Sequence, residues 1–516
     1  MSTRFAMLLA LPLALGAGCS SPSGGGGTGG TPGTGGTATG GTPGTGGTAT
    51  GGTPGTGGTG GAATGGNSGT GGLLGTGGIG HTGGTTGTGG TATGGNGAGG
   101  GGMAGAGGVK GTGGGTGGGT AGGSGQQHWV GTWAAAPYVD TNSSNAPPIS
   151  LSNSVIRQIV HASIGGSQIR FQISNLDGNG SLSVMAAHVA LNKSMTSSSG
   201  LVDSTIDAST DKALMFNGSA SVTIAANKEV WSDPLDFTVP PLGNVAITIA
   251  LGTVPSTLTQ HSGSRTTSYF QSGSTTVNAA SMSSAKTAAL WFFISAMDVM
   301  ADAGTGCVVA IGDSITDGRG TTTDGENRWT DVLSSRLQAM GMNVGVLNEG
   351  IGATNLIGNS GTAAQARYAH DVLAQDGIKY VIVFEGVNDI HGGASASSLE
   401  NAYKDLVTRG RAAGLKVYGG TITPFGYQSS FGGSASGYWS STAESTREAA
   451  NTWIKTAGNF DGFMDFDAAL TDGKTGDNEP AMKAADAMWS QADGLHPGPT
   501  GYTAMGDAID LSLFTK

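Results

Sequence analysis

Cysteine is scarce in this sequence, in which Cys19 and Cys307 are the only two among 516 residues. Such a pair predicts no framework of disulfides. The eight histidines are scattered and have none of the Cys/His spacings that are typical of a zinc site. We therefore predict neither a metal centre nor any other cofactor.

Charged residues are also few, at 11% of the chain, and acidic residues prevail among them, so that the formal net charge is -11. No cluster of basic residues stands out along the chain. We therefore expect no nucleic acid partner. The excess of negative charge mainly favours solubility.

Phe, Trp and Tyr are absent between Ser20 and Gly125, and Lys110 is the only charged residue there. More than half of the 100 glycines lie in this stretch. Such a segment cannot bury enough apolar surface to offset the entropy of ordering it. The unit from Thr31 to Gly41 is repeated from Thr42 to Gly52, but it has no apolar face with which to stack in a solenoid. We predict a disordered Gly/Thr-rich linker over residues 20–126.

The first 19 residues have the layout of a secretion signal. Arg4 precedes an apolar run from Phe5 to Leu15, which is too short to span a bilayer as a helix, and small residues follow it. Because Cys19 comes directly after these small residues, the segment resembles a bacterial lipoprotein signal, although Leu15 lies one place further from Cys19 than is usual. We expect a monomer that is secreted or held at the bacterial cell surface or outer membrane, with lipid on Cys19 as its only membrane contact. A plain secretory signal, in which Cys19 is incidental, is the alternative.

The region from residue 127 to residue 300 has the pattern of short antiparallel strands. Ile169, Phe171 and Ile173 alternate with polar residues, and similar short runs follow. Clusters of Gly, Pro and Asn separate these runs. Short alternating strands with turn signals between them predict a β-sandwich or jelly-roll domain.

After residue 300, strands and helices alternate. The apolar run from Cys307 to Ile311 predicts a buried strand, and the helical spacing from Trp329 to Met340 is followed by a strand from Val344 to Asn348. A further apolar run extends from Tyr380 to Phe384. Strands that are apolar throughout and alternate with helices predict a parallel sheet that is covered on both faces. We assign residues 301–516 to one α/β domain.

Polar residues follow each of these strands. Ser314 comes after the first strand, Gly352 after the second and Asn388 after the third, while Asp493 and His496 lie in a loop before the last predicted helix. The carboxyl ends of parallel strands meet at one edge of a sheet, where ligands bind. Each residue alone also has an ordinary interpretation, as part of a turn or a surface loop. Their combination in this order favours a single catalytic site.

These residue types meet the needs of acyl transfer, which uses a nucleophile, a base, a group that orients the base and donors for the developing oxyanion. Ser314 offers a hydroxyl and His496 an imidazole. Asp493 can accept the Nδ1 proton of His496 and leave Nε2 facing Ser314. Oxyanion donors are available from the backbone N–H of Ser314, the backbone N–H of Gly352 and the amide of Asn388.

Four segments resemble the conserved blocks of the SGNH, or GDSL, hydrolases: Gly312-Asp-Ser-Ile-Thr316, Gly352, Gly386-Val-Asn-Asp389 and Asp493-Gly-Leu-His496. The resemblance implies a flavodoxin-like three-layer α/β/α fold and hydrolysis of carboxylic esters without a metal. It implies Ser314 as the nucleophile, His496 as the base and Asp493 as the acid that orients it. It also implies Ser314, Gly352 and Asn388 as oxyanion donors.

Further segments are similar to a subfamily with an N-terminal β-domain: Thr132-Trp-Ala-Ala-Ala-Pro137, Arg157-Gln-Ile-Val-His161, Arg328-Trp-Thr-Asp-Val-Leu333 and Phe460-Asp-Gly-Phe-Met-Asp-Phe-Asp467. That subfamily includes carbohydrate esterases that resemble xylan acetylesterases. The chain departs from the family pattern at Ala353-Thr354, where a second Gly and an Asn are expected. This departure bears on the shape of the donor loop and on substrate preference.

Secretion, the linker and the added β-domain suit a substrate that is too large to enter the cell. Together with the resemblance, they predict removal of O-acetyl groups from a plant polysaccharide such as xylan. A broad esterase of short-chain esters or lipids is the alternative among enzymes. The sequence has no long apolar insertion that would serve as a lipase lid, and this favours the small acyl group.

A non-catalytic carbohydrate-binding surface protein is the remaining alternative. It would need exposed aromatic side chains in the β-domain, although large aromatic residues generally pack in cores. The candidates are Trp129, Trp133, Trp231 and Tyr269. In the same domain, His261 and Arg265 stand in a polar loop and are candidates for facing the catalytic cleft.

Overall fold

The computed structural model describes residues 127–193, 203–273, 276–425, 437–471 and 494–515. The described residues belong to one compact unit. The predicted signal with Cys19, the predicted linker and the predicted site residue Asp493 lie outside the described residues. The boundary near residue 300 between two domains stays a prediction from the sequence.

The first part of the described chain forms antiparallel sheets. Their strands are β1 (His128–Ala134), β2 (Ser154–His161), β3 (Gly166–Asn175), β4 (Leu182–Leu191), β5 (Lys212–Leu214), β6 (Val222–Ile224), β7 (Lys228–Trp231), β8 (Leu235–Val239), β9 (Asn244–Leu251), β10 (Gln260–His261), β11 (Ser268–Ser272), β12 (Lys286–Ala288), β13 (Trp291–Phe292) and β14 (Ile294–Ala301). One sheet has the order β1-β14-β3-β7 with β8 also on β3, and a second has the order β12-β11-β2-β9-β4-β5 with β6 also on β4. Strands β10 and β13 pair with each other.

The two larger antiparallel sheets contribute to one hydrophobic core. Ile169, Phe171 and Ile173 of β3 are buried in the same cluster as Ile156 and Val160 of β2. This is expected when one apolar face of each sheet packs against the other. The alternation in the sequence therefore predicted the buried side of β3, while the jelly-roll topology stays a prediction.

The second part of the described chain contains a parallel sheet. Its strands are β15 (Gly306–Gly312), β16 (Val344–Gly350), β17 (Ile378–Phe384), β18 (Lys416–Gly420) and β19 (Gly462–Met464), in the order β16-β15-β17-β18-β19. Numbered within this sheet alone, the order is 2-1-3-4-5, which is the flavodoxin-like order. The prediction of an α/β domain with a parallel sheet is confirmed. Ligands of such sheets bind where the strand order reverses, which is beside β15.

Helices cover both faces of the parallel sheet. They are α1 (Ser314–Asp317), α2 (Trp329–Ala339), α3 (Ala364–Tyr368), α4 (Val387–His391), α5 (Ala396–Ala412), α6 (Ser441–Lys455), α7 (Phe466–Leu470) and α8 (Pro499–Asp507), with a π-helical turn at Ala369–Leu373. Successive residues of β15 face opposite ways, so that Val308 shares a core cluster with Trp329 of α2, whereas Val309 shares one with Leu406 of α5. Among the described helices, none has the length and apolar character that crossing a bilayer requires.

Strand β1 packs against β16, at the edge of the parallel sheet. The backbone N–H of Gly131 donates to Asp376 O (3.0 Å), and the N–H of Val346 donates to Ser163 Oγ (2.9 Å). A Cβ at Gly345 would lie only 2.2 Å from Gly131 O. The antiparallel and parallel parts therefore meet backbone against backbone, and glycine makes this approach possible.

We expect Gly345→Ala to lower the free energy of unfolding, because the added methyl group must displace the backbone of Gly131. Overpacking of this kind typically costs about 1–3 kcal/mol. Urea unfolding followed by circular dichroism measures the loss. Gly304→Ala is the control, since a Cβ at Gly304 meets no atom within 4 Å. Equal stability of the two variants would contradict the close contact.

Candidate active site

Ser314 lies where β15 ends and α1 begins. The side chain of Asp313 caps this helix, since Oδ1 accepts a hydrogen bond from the N–H of Ile315 (2.8 Å). A Cβ at Gly312 would lie 2.6 Å from Phe384 O of the neighbouring strand β17. A larger residue at position 312 would push the two strands apart. The Gly-Asp-Ser turn thus places the Ser314 hydroxyl at the carboxyl edge of the sheet.

His496 reaches Ser314 from the loop before α8. The distance between Ser314 Oγ and His496 Nε2 is 2.8 Å. Both residues are largely buried, with Ser314 6% and His496 5% exposed. When the hydroxyl donates to Nε2, the imidazole is neutral and can take the serine proton. The structure therefore brings together the two residues that the sequence predicted as nucleophile and base.

Gly352 and Asn388 line the same cleft as Ser314 and His496. Gly352 follows β16, and a Cβ there would lie 4.0 Å from Ser314 Cβ, while Asn388 belongs to α4, which follows β17. The cleft has a volume of about 420 Å³. Its lining consists of Tyr138, Asp140, Asn142, Asn145, Ser262, Gly263, Arg265, Ser314, Asp317, Arg319, Gly352, Ala353, Asn388, Tyr438 and His496. Four of the predicted site residues thus lie at one end of the parallel sheet.

The antiparallel part supplies one wall of this cleft. Arg265 lines the cleft and donates to Asp317 Oδ2 (2.7 Å). His261 lies behind the wall and is 4% exposed, with Nε2 3.0 Å from Asp317 Oδ1 and Nδ1 2.9 Å from Ala136 O. Asp317 is the last residue of α1, which begins at Ser314. Two residues from the antiparallel part therefore hold the helix that carries Ser314.

The Asp317 carboxyl is buried, yet its surroundings favour the ionised form. Burial would raise its pKa, but Arg265, His261 and Arg328 together outweigh burial and lower the pKa below its ordinary value. Arg328 also donates from Nε to Asp317 O (3.3 Å). A buried charge that loses its partners is strongly destabilising. The segment from His261, at the end of β10, to Arg265 and helix α1 therefore depend on each other.

Asp317 and Tyr438 are site residues that were not predicted from the sequence. Asp317 could have been found, because residues three apart in a helix share a face, and an acid at this spacing follows the candidate nucleophile. Tyr438 gave no such signal, since it stands in a Gly/Ser-rich stretch far from the other site residues along the chain. Its hydroxyl donates to Asn388 Oδ1 (2.6 Å).

The aromatic candidates for carbohydrate binding make internal contacts. Trp129 and Trp231 both pack on Arg170, whose guanidinium carbon is 4.7 Å from the first ring centre and 4.3 Å from the second. Trp133 is buried, and Tyr269 is half-buried against small apolar clusters. These contacts favour a packing role for the four side chains.

Comparison with known proteins gives a match to residues 310–504, from the model of the GDSL-like lipase/acylhydrolase family. Among curated proteins, no sequence matches this chain. The family match begins within β15 and ends within α8, so it spans the parallel sheet and every predicted site residue from Ser314 to His496.

Several solved structures are similar to about 40% of this chain. A lipase/acylhydrolase from Enterococcus faecalis matches with 20% identity, a TM-score of 0.31 and coverage of 40% of this chain and 93% of its own. A carbohydrate acetylesterase from Sinorhizobium meliloti has 17% identity, a TM-score of 0.31 and coverage of 41% and 100%. A variant of an acetyl xylan esterase from Geobacillus stearothermophilus has 22% identity, a TM-score of 0.30 and coverage of 40% and 94%.

The buried carboxyl of Asp313 should make the free energy of unfolding depend on pH. Burial, with a contribution from Asp389, raises the pKa of its carboxyl to about 7, although the hydrogen bond from Ile315 N–H opposes the shift. The folded protein therefore keeps this proton to a higher pH than the unfolded chain does. The free energy of unfolding should fall as the pH rises from about 4 to about 7.

The variant Asp313→Asn should flatten this part of the profile, because Asn cannot ionise and caps helices as well as Asp does. Denaturant unfolding at several pH values between about 4 and 7 checks the slope. Asp510→Asn, at an exposed helix cap, is the control. A slope that Asp313→Asn leaves unchanged would show that another group causes it.

Proposed function

We propose that the domain at residues 310–504, which belongs to the GDSL-like lipase/acylhydrolase family and is a carboxylic ester hydrolase, uses Ser314 as its nucleophile and His496 as its general base. The observation that carries this proposal is the distance of 2.8 Å between Ser314 Oγ and His496 Nε2 inside the cleft. A serine hydroxyl is a weak nucleophile until an adjacent base accepts its proton. This pair meets that requirement.

The proposed reaction has two halves. In the first, Ser314 Oγ attacks the ester carbonyl while His496 Nε2 takes the hydroxyl proton, and the C–O bond of the ester then breaks as the alcohol leaves with that proton. In the second, a water molecule attacks the acyl group on Ser314 and gives its proton to His496. The carboxylic acid leaves, and Ser314 regains its proton from the imidazole.

Three donors are proposed for the negative oxygen that develops in each half. The N–H of Ser314 is in the first turn of α1, where backbone N–H groups have no partner within the helix. Gly352 and Asn388 follow the strands on either side of β15, so their N–H groups can approach the reacting carbonyl from two sides. Donors placed in advance stabilise the oxyanion in a partly water-excluded site.

Further proposals rest on the sequence alone. Asp493 accepts the Nδ1 proton of His496 and so keeps the imidazole in the required tautomer. The protein is secreted as a monomer and is held at the cell surface or outer membrane by lipid on Cys19. The linker at residues 20–126 keeps the folded part away from that surface.

The lining of the cleft supports a small acyl group and a polar alcohol as the two parts of the substrate. Its described residues include no Leu, Ile, Val, Met or Phe. A long acyl chain would need an apolar groove in order to leave water. The wall from the antiparallel part instead offers polar groups that can bind sugar hydroxyls: Tyr138, Asp140, Asn142, Asn145, Ser262 and Arg265. We therefore propose O-acetyl groups of a plant polysaccharide such as xylan, with short-chain esters in general as the alternative.

We expect Ser314→Ala to reduce the hydrolysis of p-nitrophenyl acetate by roughly 10⁴-fold or more, because it removes the nucleophile. Release of p-nitrophenol, followed by absorbance, measures the loss. Ser334→Ala is the control, since it also removes a buried hydroxyl, but one that donates to Thr330 O (3.1 Å) within α2. Turnover by a folded Ser314→Ala protein at the wild-type rate would exclude Ser314 as the nucleophile.

We expect acetate to be released from acetylated xylan, and kcat/KM for p-nitrophenyl esters to fall steeply from acetyl to longer acyl groups, because the described lining offers no apolar groove. Acetate release and a series of acyl lengths measure the two properties on the same preparation. Similar rates along the series, with no acetate released from xylan, would favour the broad short-chain esterase.

A further inference from the structure

The amide of Asn388 can support an oxyanion in only one of its two orientations. A carboxamide carries a donor at one end and an acceptor at the other, and the two ends have nearly the same size. Rotation by half a turn would put the carbonyl oxygen of Asn388 where the N–H is needed. The environment of Asn388 must therefore distinguish the two ends.

Two hydrogen bonds make this distinction. Asn388 Nδ2 donates to Thr354 O (2.7 Å), and Asn388 Oδ1 accepts from the hydroxyl of Tyr438 (2.6 Å). In the rotated amide, Oδ1 would face Thr354 O, and two acceptors cannot form a hydrogen bond. One N–H of Nδ2 is used by Thr354, and the second has no hydrogen-bond partner within the described part of the chain. That second N–H is available to a ligand in the cleft.

Tyr438 is itself held by the helix that carries Asn388. Its ring stacks on the ring of His391, with centres 4.1 Å apart and planes at 15°. His391 is the last residue of α4, three positions after Asn388. The phenol is thereby placed with its hydroxyl at Asn388 Oδ1. Tyr438 belongs to the segment that leads into α6, so it approaches the site from a different part of the chain.

We infer that Tyr438 is a positioning residue, which keeps the Asn388 amide turned so that Nδ2–H faces the reacting carbonyl. The inference rests on the proposed role of Asn388 as an oxyanion donor. Tyr438 does not touch the oxyanion and acts through Asn388. Position 354 takes part in this arrangement only through its backbone oxygen, which accepts the other hydrogen bond of the amide and which any residue there would offer.

The variant Tyr438→Phe keeps the stacked ring and removes only the hydroxyl. We expect kcat to fall about five- to tenfold, as for the loss of one ordinary hydrogen bond, while KM changes by less than about twofold. A residue that contacts the substrate would instead change KM. Tyr380→Phe is the control, because it also loses one hydroxyl hydrogen bond, to Phe514 O (3.0 Å), outside the cleft. Thermal unfolding of both variants verifies that they fold.

The decisive measurement is a double-mutant cycle on p-nitrophenyl acetate. Asn388→Ala alone should lower kcat by about 10²–10³, as the loss of one oxyanion donor does in a serine protease. Adding Tyr438→Phe to Asn388→Ala should then cause no further loss, because the hydroxyl has nothing left to position.

The outcomes separate this inference from the proposed function. If the two losses multiply, or if Tyr438→Phe changes only KM, Tyr438 does not act through Asn388 and the inference is wrong. If folded Tyr438→Phe retains wild-type kcat, the inference is also wrong, while a large loss in Asn388→Ala still supports the proposed function. If Asn388→Ala retains wild-type kcat, the proposed role of Asn388 fails, and the inference fails with it.

Discussion

The buried carboxylate of Asp317 is the interaction on which the geometry of the cleft depends. It closes the short helix that begins at Ser314, and it binds Arg265 and His261 of the antiparallel part. A carboxylate in such a place is tolerated only when cations and donors surround it. The antiparallel part therefore contributes directly to the site. It holds α1, which carries the candidate nucleophile, and it forms one wall of the cleft.

A second buried network, made of the hydrogen bonds and ion pairs of Arg367, joins the ends of β15 and β17. Arg367 donates to Gly312 O (3.0 Å), where β15 ends, and forms ion pairs with Asp371 (3.0 Å) and Glu385 (3.5 Å), the residue that follows β17. The ends of two neighbouring strands thus share one guanidinium. Ser314 and Asn388 leave the sheet from these two strands, so the network maintains the distance between them. Sites held in this way by rigid elements keep their geometry better than sites on loops.

Much of this arrangement could be predicted from local patterns. The apolar run at Cys307 predicted β15, and the helical spacing that starts at Trp329 predicted α2, which begins at that residue. Polar residues directly after apolar strands predicted the edge at which Ser314 and Asn388 lie, because parallel strands end on one side. The predicted place of Arg265 in the cleft wall agrees with the structure, whereas His261 lies behind that wall.

Local patterns in the amino-acid sequence were enough to establish that strands and helices alternate after residue 300, which side of β3 is buried and which residues follow β15, β16 and β17. Each of these features depends on residues that are close together in the chain. Packing of the folded chain alone settled that Asp317 meets His261, that Tyr438 meets Asn388 and that the antiparallel part forms a wall of the cleft. Such contacts depend on which surfaces come together and at what distance. No periodicity in the residues around Tyr438 or His261 carries that information, because each partner lies dozens of positions away and is selected by shape and charge in three dimensions.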